Sequence, residues 1–379
     1  MSANSKNNID ISNWQQWPNN TWAFQHVDKI LPTVIVNSNA KGHSAFDQGE
    51  KFIDDPQFNH FISETETDSI LVLHHGHIVH EQYFKGNNKD TRHILMSATK
   101  AVMGLLAGIL AQREMINLDK TVETYIPELK ETAYGNVTLR YLLDMRIGFT
   151  LDEDQQKLYA EASNWDQARD VNERISLHEF YGKLKEVKDN GNDTFKYISA
   201  NTDLLGWAIE RATETPINVL LSEMIWKPIG ARHDAYLTVD SKGSPRCTGG
   251  FCATLRDFAL LGQSLLGDGR LSSSILPHAV VDDIYKNGDT RAWRDGEWGK
   301  AFAAISSDMA YRSGWYVINS KPKLILAMGI YGQNLFVDPV NEIVVAKFSS
   351  WKEQLDYSAV FKTHQLVARA VTLLSGQEK

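Results

Sequence analysis

The chain has few cysteines and no long apolar run, and each absence excludes a class of protein. Cys247 and Cys252 are the only cysteines among 379 residues, too few for a disulfide-stabilised scaffold. We interpret them as small, buried apolar side chains. The longest uncharged apolar stretch, 101–111, is shorter than the ~20 residues that a membrane-spanning helix needs.

An excess of basic charge is also absent. The chain has 47 acidic and 39 basic residues, a formal net charge of −8, whereas nucleic-acid-binding proteins normally carry a basic surface. Residues 1–8 are polar and lack the apolar segment of a secretory signal. We therefore expect a cytoplasmic protein with neither a nucleic acid nor a membrane as partner.

The residues that are present are typical of a folded enzyme. The hydrophobic content of 42%, with 10% aromatics, is ample for a packed interior. A length of 379 residues exceeds the usual range of one compact core, so two lobes are expected.

The order of sequence patterns predicts an α/β (α+β) fold. Residues 69–84 form two β-rich runs about a His-Gly turn, and further strand patterns lie between 313 and 348. We expect the hairpin and the late strands to share one antiparallel sheet, with a helical lobe between them and a cleft at the junction.

The same patterns set the expected boundaries. Residues 1–64 are an extension packing on the core, 65–96 with 300–379 are the sheet lobe, and 97–299 are the mostly helical lobe. Within these, 48–61 is predicted as a short helix and 150–175 as a long loop.

Ser97 and Lys100 open the apolar helix and are the first candidate catalytic pair. Residues three apart share one face of a helix, so the lysine amine can reach the serine hydroxyl. A lysine along an apolar helix is partly desolvated, which lowers its pKa toward that of a useful base, and a serine needs such a base to become a nucleophile. The alternative is a helix-capping serine followed by a surface lysine.

Tyr197 and the strand end at 327–333 are the further candidates. Acyl transfer needs a second proton-handling group and hydrogen-bond donors for the oxyanion. Tyr197 precedes a predicted helix, and the glycines of 327–333 permit close backbone approach to a ligand. A packed tyrosine and an ordinary turn are the alternatives.

Together these segments resemble the penicillin-recognising serine hydrolases, which include class C β-lactamases, DD-peptidases, family VIII carboxylesterases and 6-aminohexanoate-dimer (nylon oligomer) hydrolases. The resemblance runs from about residue 65 to 375, and the nylon-oligomer branch is most similar. The motifs that carry it are Ser97-x-x-Lys100, 137–148, Tyr197-x-Ser199-x-Asn201-Thr202-Asp203, 249–257 and 329–333.

The resemblance implies a β-lactamase/DD-peptidase-like fold and a role for each matching residue. Ser97 is the implied nucleophile, with Lys100 and Tyr197 as its proton-handling partners. The backbone N–H groups of Ser97 and Ile330 form the implied oxyanion hole. The implied substrate contacts are Ser199, Gln155, Trp315, Gly329 and Tyr331, and for Trp315 a place in the core is the alternative.

Three departures from the family pattern bear on the substrate, and the last of them, at Gln155, favours esters over amides. Ser199 stands in place of the asparagine of Tyr-x-Asn, and 327–329 is Ala-Met-Gly in place of Lys-Thr-Gly, so a β-lactam carboxylate loses its cation. Gln155 stands where the nylon-oligomer enzymes have a tyrosine that assists amide cleavage.

The sequence therefore predicts a serine hydrolase that acts on short carboxylic esters or small linear amides without a metal or cofactor. β-Lactamase or D-amino-acid peptidase activity is one alternative, and a non-catalytic binding module of the same fold is another. A homodimer is left open.

Overall fold

The computed structural model of the chain describes residues 8–39, 46–47, 49, 53–167, 174–185, 193–266, 276–321 and 323–376. The helices of this part are α1 (Asn19–Ala23), α2 (Pro56–Glu64), α3 (Thr99–Gln112), α4 (Val122–Tyr125), α5 (Leu139–Leu143), α6 (Glu153–Ala162), α7 (Leu177–Lys183), α8 (Ala200–Thr213), α9 (Ile217–Leu221), α10 (Leu255–Gln263), α11 (His278–Lys286), α12 (Thr290–Arg294) and α13 (Tyr357–Ser375). The strands are β1 (Thr33–Val36), β2 (Thr67–His74), β3 (His77–Tyr83), β4 (His93–Ile94), β5 (Ala235–Thr238), β6 (Phe251–Ala253), β7 (Met309–Arg312), β8 (Trp315–Ile318), β9 (Leu324–Gly329), β10 (Gln333–Asp338) and β11 (Ile343–Ser349).

The main sheet has seven antiparallel strands in the order β3-β2-β11-β10-β9-β8-β7. The early hairpin joins the late strands through β2 and β11, where Leu73 pairs with Val344. The hairpin turns at His75 and Gly76, both at positive φ (49° and 75°), the conformation that a tight turn requires. The predicted sheet is confirmed.

Both faces of this sheet are covered, so its strands are buried along most of their length. Leu71 and Leu73 of β2 belong to the core shared with α3, α8 and α10, whereas Ile70 and Val72 belong to the core shared with α2 and α13. This alternation follows from the two-residue period of a strand. The mixed α/β architecture with an antiparallel sheet confirms the predicted fold class.

The α3 helix lies against the main sheet at a very short distance. A Cβ added at Gly104 would stand 1.7 Å from the carbonyl oxygen of Ser313, so only glycine fits there. The indole Nε1 of Trp315 donates to the Ala101 carbonyl over 3.1 Å. The first turn of α3 is thereby held beside β8 and β9.

A second sheet of four short strands, β1-β5-β6-β4, was not expected from the sequence. Its first strand comes from the N-terminal segment, where Thr33 pairs with Thr238 of β5. Residues 1–64 therefore do more than pack on the core, since they supply a strand. The lobe boundaries stay a prediction.

Two local predictions differ from the structure. Where a loop was expected over 150–175, α6 forms with a capping box, in which Asp152 and Gln155 bond each other's backbone N–H. The helix expected at 48–61 begins at Pro56, because Asp55 caps its N-terminus; residues 48 and 50–52 lie outside the described part. Residues 168–173 of the expected loop also lie outside it.

Both cysteines are buried and unbonded to each other, as interpreted from the sequence. Across the described ranges, helices that combine the length and apolarity needed to cross a lipid bilayer are absent.

Candidate active site

Ser97 lies in a tight turn immediately before α3. The 3₁₀ turn Met96–Ala98 leads into the helix, and Met96 adopts a positive φ of 48°, which is strained for a non-glycine residue. Both neighbours of Ser97 are fully buried, whereas Ser97 itself is only half-buried. The turn therefore presents the serine hydroxyl at the surface of the core.

Lys100 lies one helical turn further on, and its amine lies beside the serine oxygen. Its Nζ is 2.9 Å from Ser97 Oγ and donates to the Thr248 carbonyl over 3.1 Å. The side chain is 1% exposed, and burial holds the pKa of Lys100 well below its ordinary value. The nearby Arg246 charge lowers that pKa further, and Asp203 opposes the shift. A neutral amine at this position can accept the serine proton.

Tyr197 is the third residue of the cluster. Its hydroxyl hydrogen-bonds Ser97, and its ring centroid lies 4.8 Å from Lys100 Nζ. The ring stacks on Trp298 at 4.5 Å, which fixes its orientation. Burial raises the pKa of Tyr197 above its ordinary value, so the group is a neutral phenol near pH 7.

The end of β9 lies directly against the Ser97 backbone. A Cβ added at Gly329 would stand 2.4 Å from the Leu95 carbonyl oxygen and 3.0 Å from Ser97 N. Ile330 follows and lines the same cavity as Ser97. The two N–H groups expected to bind an oxyanion therefore belong to backbone segments in close contact.

These residues lie at a cavity of about 680 Å³, a volume typical of small-molecule sites. Ser97, Tyr197, Ser199 and Ile330 all line it. Further lining residues come from α6, from the 246–249 segment and from the N-terminal segment through Gln15.

The charged side chains at this cavity are of both signs. Asp166 and Glu297 are the carboxylates, and Lys196 and Arg246 are the cations among the described lining residues. Glu297 also accepts the Tyr197 backbone N–H over 3.1 Å.

A buried polar network in the cavity wall was missed by the sequence analysis. Arg246 is bonded to both Asp203 and Tyr159, and Tyr159 donates to Asp203 over 2.6 Å. Asp203 also accepts the Thr248 N–H over 2.8 Å. Asp203 was recognised only as part of a family motif. Its partners Tyr159, Arg246 and Thr248 are more than 40 residues away in sequence.

The described cavity lining does not include four of the predicted substrate contacts, namely Gln155, Trp315, Gly329 and Tyr331, and their contact with substrate stays a prediction. The Gln155 side chain caps α6, and its neighbour Gln156 lines the cavity instead. Trp315 is fully buried under α3. Tyr331 has a positive φ of 62°, and its ring packs 5.1 Å from that of Phe24.

Comparison with known proteins gives consistent matches. Residues 60–367 match the family model described as Beta-lactamase. Over 355 residues the chain is 30% identical to the 6-aminohexanoate-dimer hydrolase of Paenarthrobacter ureafaciens, covering 90% of this chain and 88% of that protein.

Solved structures show the same likeness. A Bacillus anthracis protein provisionally named 6-aminohexanoate-dimer hydrolase superposes with a TM-score of 0.85 at 27% identity, over 99% of both chains. EstCE1, a hydrolase with promiscuous acyltransferase activity, gives a TM-score of 0.62 at 13% identity over 82% of this chain and 98% of its own. At that identity the likeness to EstCE1 shows the fold alone.

Proposed function

The chain belongs to the beta-lactamase family, and from that premise we propose that this serine hydrolase forms an acyl-enzyme on Ser97 and cleaves short carboxylic esters or small linear amides. One observation carries the proposal. The amine of a fully buried lysine lies 2.9 Å from the hydroxyl of a half-buried serine at a cavity of small-molecule size.

The proposed reaction begins with proton transfer from Ser97 to the neutral Lys100 amine as the serine oxygen attacks the substrate carbonyl carbon. The N–H groups of Ser97 and Ile330 stabilise the oxyanion that forms. As the intermediate collapses, the proton reaches the leaving alcohol or amine through Lys100 and Tyr197. Water, activated by the same pair, then hydrolyses the acyl-enzyme and restores the Ser97 hydroxyl.

The charges at the cavity support esters and linear amides over β-lactams. The 327–329 segment of β9 has no cation to bind a β-lactam carboxylate, and the charge of Arg246 is neutralised by Asp203. Apart from Arg246, the described lining has two carboxylates, Asp166 and Glu297, and one cation, Lys196, so its net charge favours an ammonium group over a second carboxylate. A linear amide that ends in an amine is therefore compatible with the site, in line with the name of the Paenarthrobacter relative.

The primary test compares p-nitrophenyl acetate and butyrate hydrolysis by the wild type, Ser97→Ala and Ser63→Ala. Ser63 is an exposed serine of α2 and serves as the matched control. We expect Ser97→Ala to lose at least about a thousandfold in kcat and Ser63→Ala to match the wild type. Equal rates for Ser97→Ala and the wild type would overturn the proposal.

Two further measurements separate the alternatives. Labelling with a fluorophosphonate, followed by peptide mass analysis, is expected to modify Ser97, whereas a non-catalytic binding module would remain unlabelled. A panel of nitrocefin, a D-amino-acid amide and 6-aminohexanoate dimer ranks the substrate classes. Faster turnover of nitrocefin than of the esters would contradict the argument from the 327–329 segment.

A further inference from the structure

A buried ion pair lies just below the catalytic cluster. Arg246 is 5% exposed and Asp203 is 4% exposed, and they are in direct contact. Replacing a buried ion pair by apolar side chains is often neutral or stabilising, so stability alone is a weak reason for this one. Its hydrogen bonds point to a role at the site.

Both carboxylate oxygens of Asp203 are used. Oδ1 accepts the Thr248 N–H over 2.8 Å, and Oδ2 accepts from Tyr159 over 2.6 Å and from Arg246. The Arg246 guanidinium is also held between two rings, 4.6 Å from the Tyr159 centroid and 4.8 Å from that of Trp165. Neither charge can shift without breaking several contacts.

Thr248 transmits this arrangement to both proton-handling groups. Its carbonyl accepts from Lys100 Nζ over 3.1 Å. Its hydroxyl donates to the Ser199 carbonyl, two residues after Tyr197. A shift of Thr248 would therefore move the lysine amine and the tyrosine segment relative to Ser97.

We infer that Asp203 and Arg246 are positioning residues, which hold Lys100 and the Tyr197 segment in reactive alignment with Ser97 by fixing Thr248. The inference rests on the proposed acyl-enzyme function. It adds residues that do not touch the reacting atoms and that act on them through Thr248, although Arg246 also lines the cavity.

The two charges also act on Lys100 in opposite directions, which makes their role measurable. The other groups at its amine are neutral, namely the Ser97 hydroxyl, the Thr248 carbonyl and the Tyr197 phenol. The Arg246 charge lowers the pKa of Lys100 and the Asp203 charge raises it. Loss of one charge leaves the effect of the other on the pKa of Lys100 unopposed.

The test is the pH profile of kcat/KM for p-nitrophenyl butyrate in Asp203→Asn and in the double variant Asp203→Asn/Arg246→Gln. Asparagine keeps an acceptor for the Thr248 N–H but leaves the Arg246 charge unopposed. We expect the acid limb of Asp203→Asn to move to lower pH by about one unit, and kcat to fall about ten- to a hundredfold. In the double variant, which has lost both charges, the limb returns toward that of the wild type while kcat stays low.

The matched control is Glu81→Gln, which breaks the Arg256–Glu81 ion pair (2.6 Å) outside the cavity lining and leaves the acid limb in place. If Asp203→Asn does not fold, the double variant still tests the inference, because it leaves no buried charge unpaired. An acid limb that does not move in Asp203→Asn, or a double variant with the wild-type kcat, would overturn the inference while Ser97-dependent turnover stands. Wild-type turnover that does not depend on Ser97 would instead overturn the proposed function, and the inference with it.

Discussion

Substitution of Gly329 by alanine tests the oxyanion site most directly. The added Cβ would stand 2.4 Å from the Leu95 carbonyl oxygen and 3.0 Å from Ser97 N, whereas ordinary contacts begin at 3.4 Å. The third near atom is Met96 Cβ at 2.9 Å, which moves only with its own backbone, so no flexible side-chain end can relieve the clash. The end of β9 must therefore move away from Ser97 by about 1 Å.

The expected loss in rate follows from this displacement. The move carries the Ile330 N–H away from the position of the oxyanion. Loss of one oxyanion donor costs about 10²–10³ in kcat, or about 3–4 kcal/mol of transition-state stabilisation. The steric strain itself destabilises the fold by about 1–3 kcal/mol, which is too little to unfold the protein.

The assay measures kcat and KM for p-nitrophenyl acetate together with thermal unfolding. Gly182→Ala is the matched control, because Gly182 of α7 has no heavy atom within 4 Å of an added Cβ. We expect this control to keep the wild-type kcat and to gain up to about 1 kcal/mol of stability.

A folded Gly329→Ala with kcat within a factor of two of the wild type would refute the reasoning. In that case the strand end would have no part in stabilising the oxyanion. Loss of kcat with little change in KM is the expected pattern, since the donor acts mainly in the transition state.

Three further predictions test buried and cavity-lining groups. Burial lowers the pKa of Lys347 from 10.5 to about 7, so between these pH values the unfolded chain binds one more proton than the folded chain. The free energy of unfolding therefore rises by about 1.4 kcal/mol per pH unit above pH 7. We expect Lys347→Met to remove this slope in urea unfolding at pH 7–9. Trp315→Phe loses the 3.1 Å hydrogen bond to the Ala101 carbonyl, so we expect it to lose about 1–3 kcal/mol of stability without a change in the KM for short esters. A raised KM would instead show that Trp315 contacts the substrate. Gln156→Ala changes the KM of the linear amide whereas Gln155→Ala, which loses only the helix cap, does not, and equal KM changes would contradict the placement of α6.

The main sheet and the proximity of Ser97 to Lys100 could be predicted from the sequence because their signals are local. The hairpin has β-branched runs on both sides of its turn, and Ser97 and Lys100 lie one helical turn apart on an unusually apolar helix. The four-stranded sheet could not be predicted, because its strands have two to four residues, too few to show a two-residue period.

The features of the site that could not be predicted from the sequence have different explanations. Arg246 and Asp203 are 43 residues apart and meet only in the folded chain. The sequence left Trp315 open between cavity wall and core, because alternation along β8 shows that side chains switch sides but not which side is the cavity. The Asp-x-x-Gln pattern at 152–155 is a capping box, which indicates a helix start, yet a loop was expected there.

The N-terminal segment bears on how this enzyme can be shortened or recombined. The matched family region starts at residue 60, yet the earlier β1 covers the edge of β5, Trp14 donates to the Trp165 carbonyl over 3.1 Å, and Gln15 lines the cavity. A chain trimmed to that region would expose an unpaired strand edge, a template for aggregation, and would open one wall of the pocket. A graft of the family region onto another protein must therefore bring these preceding residues with it.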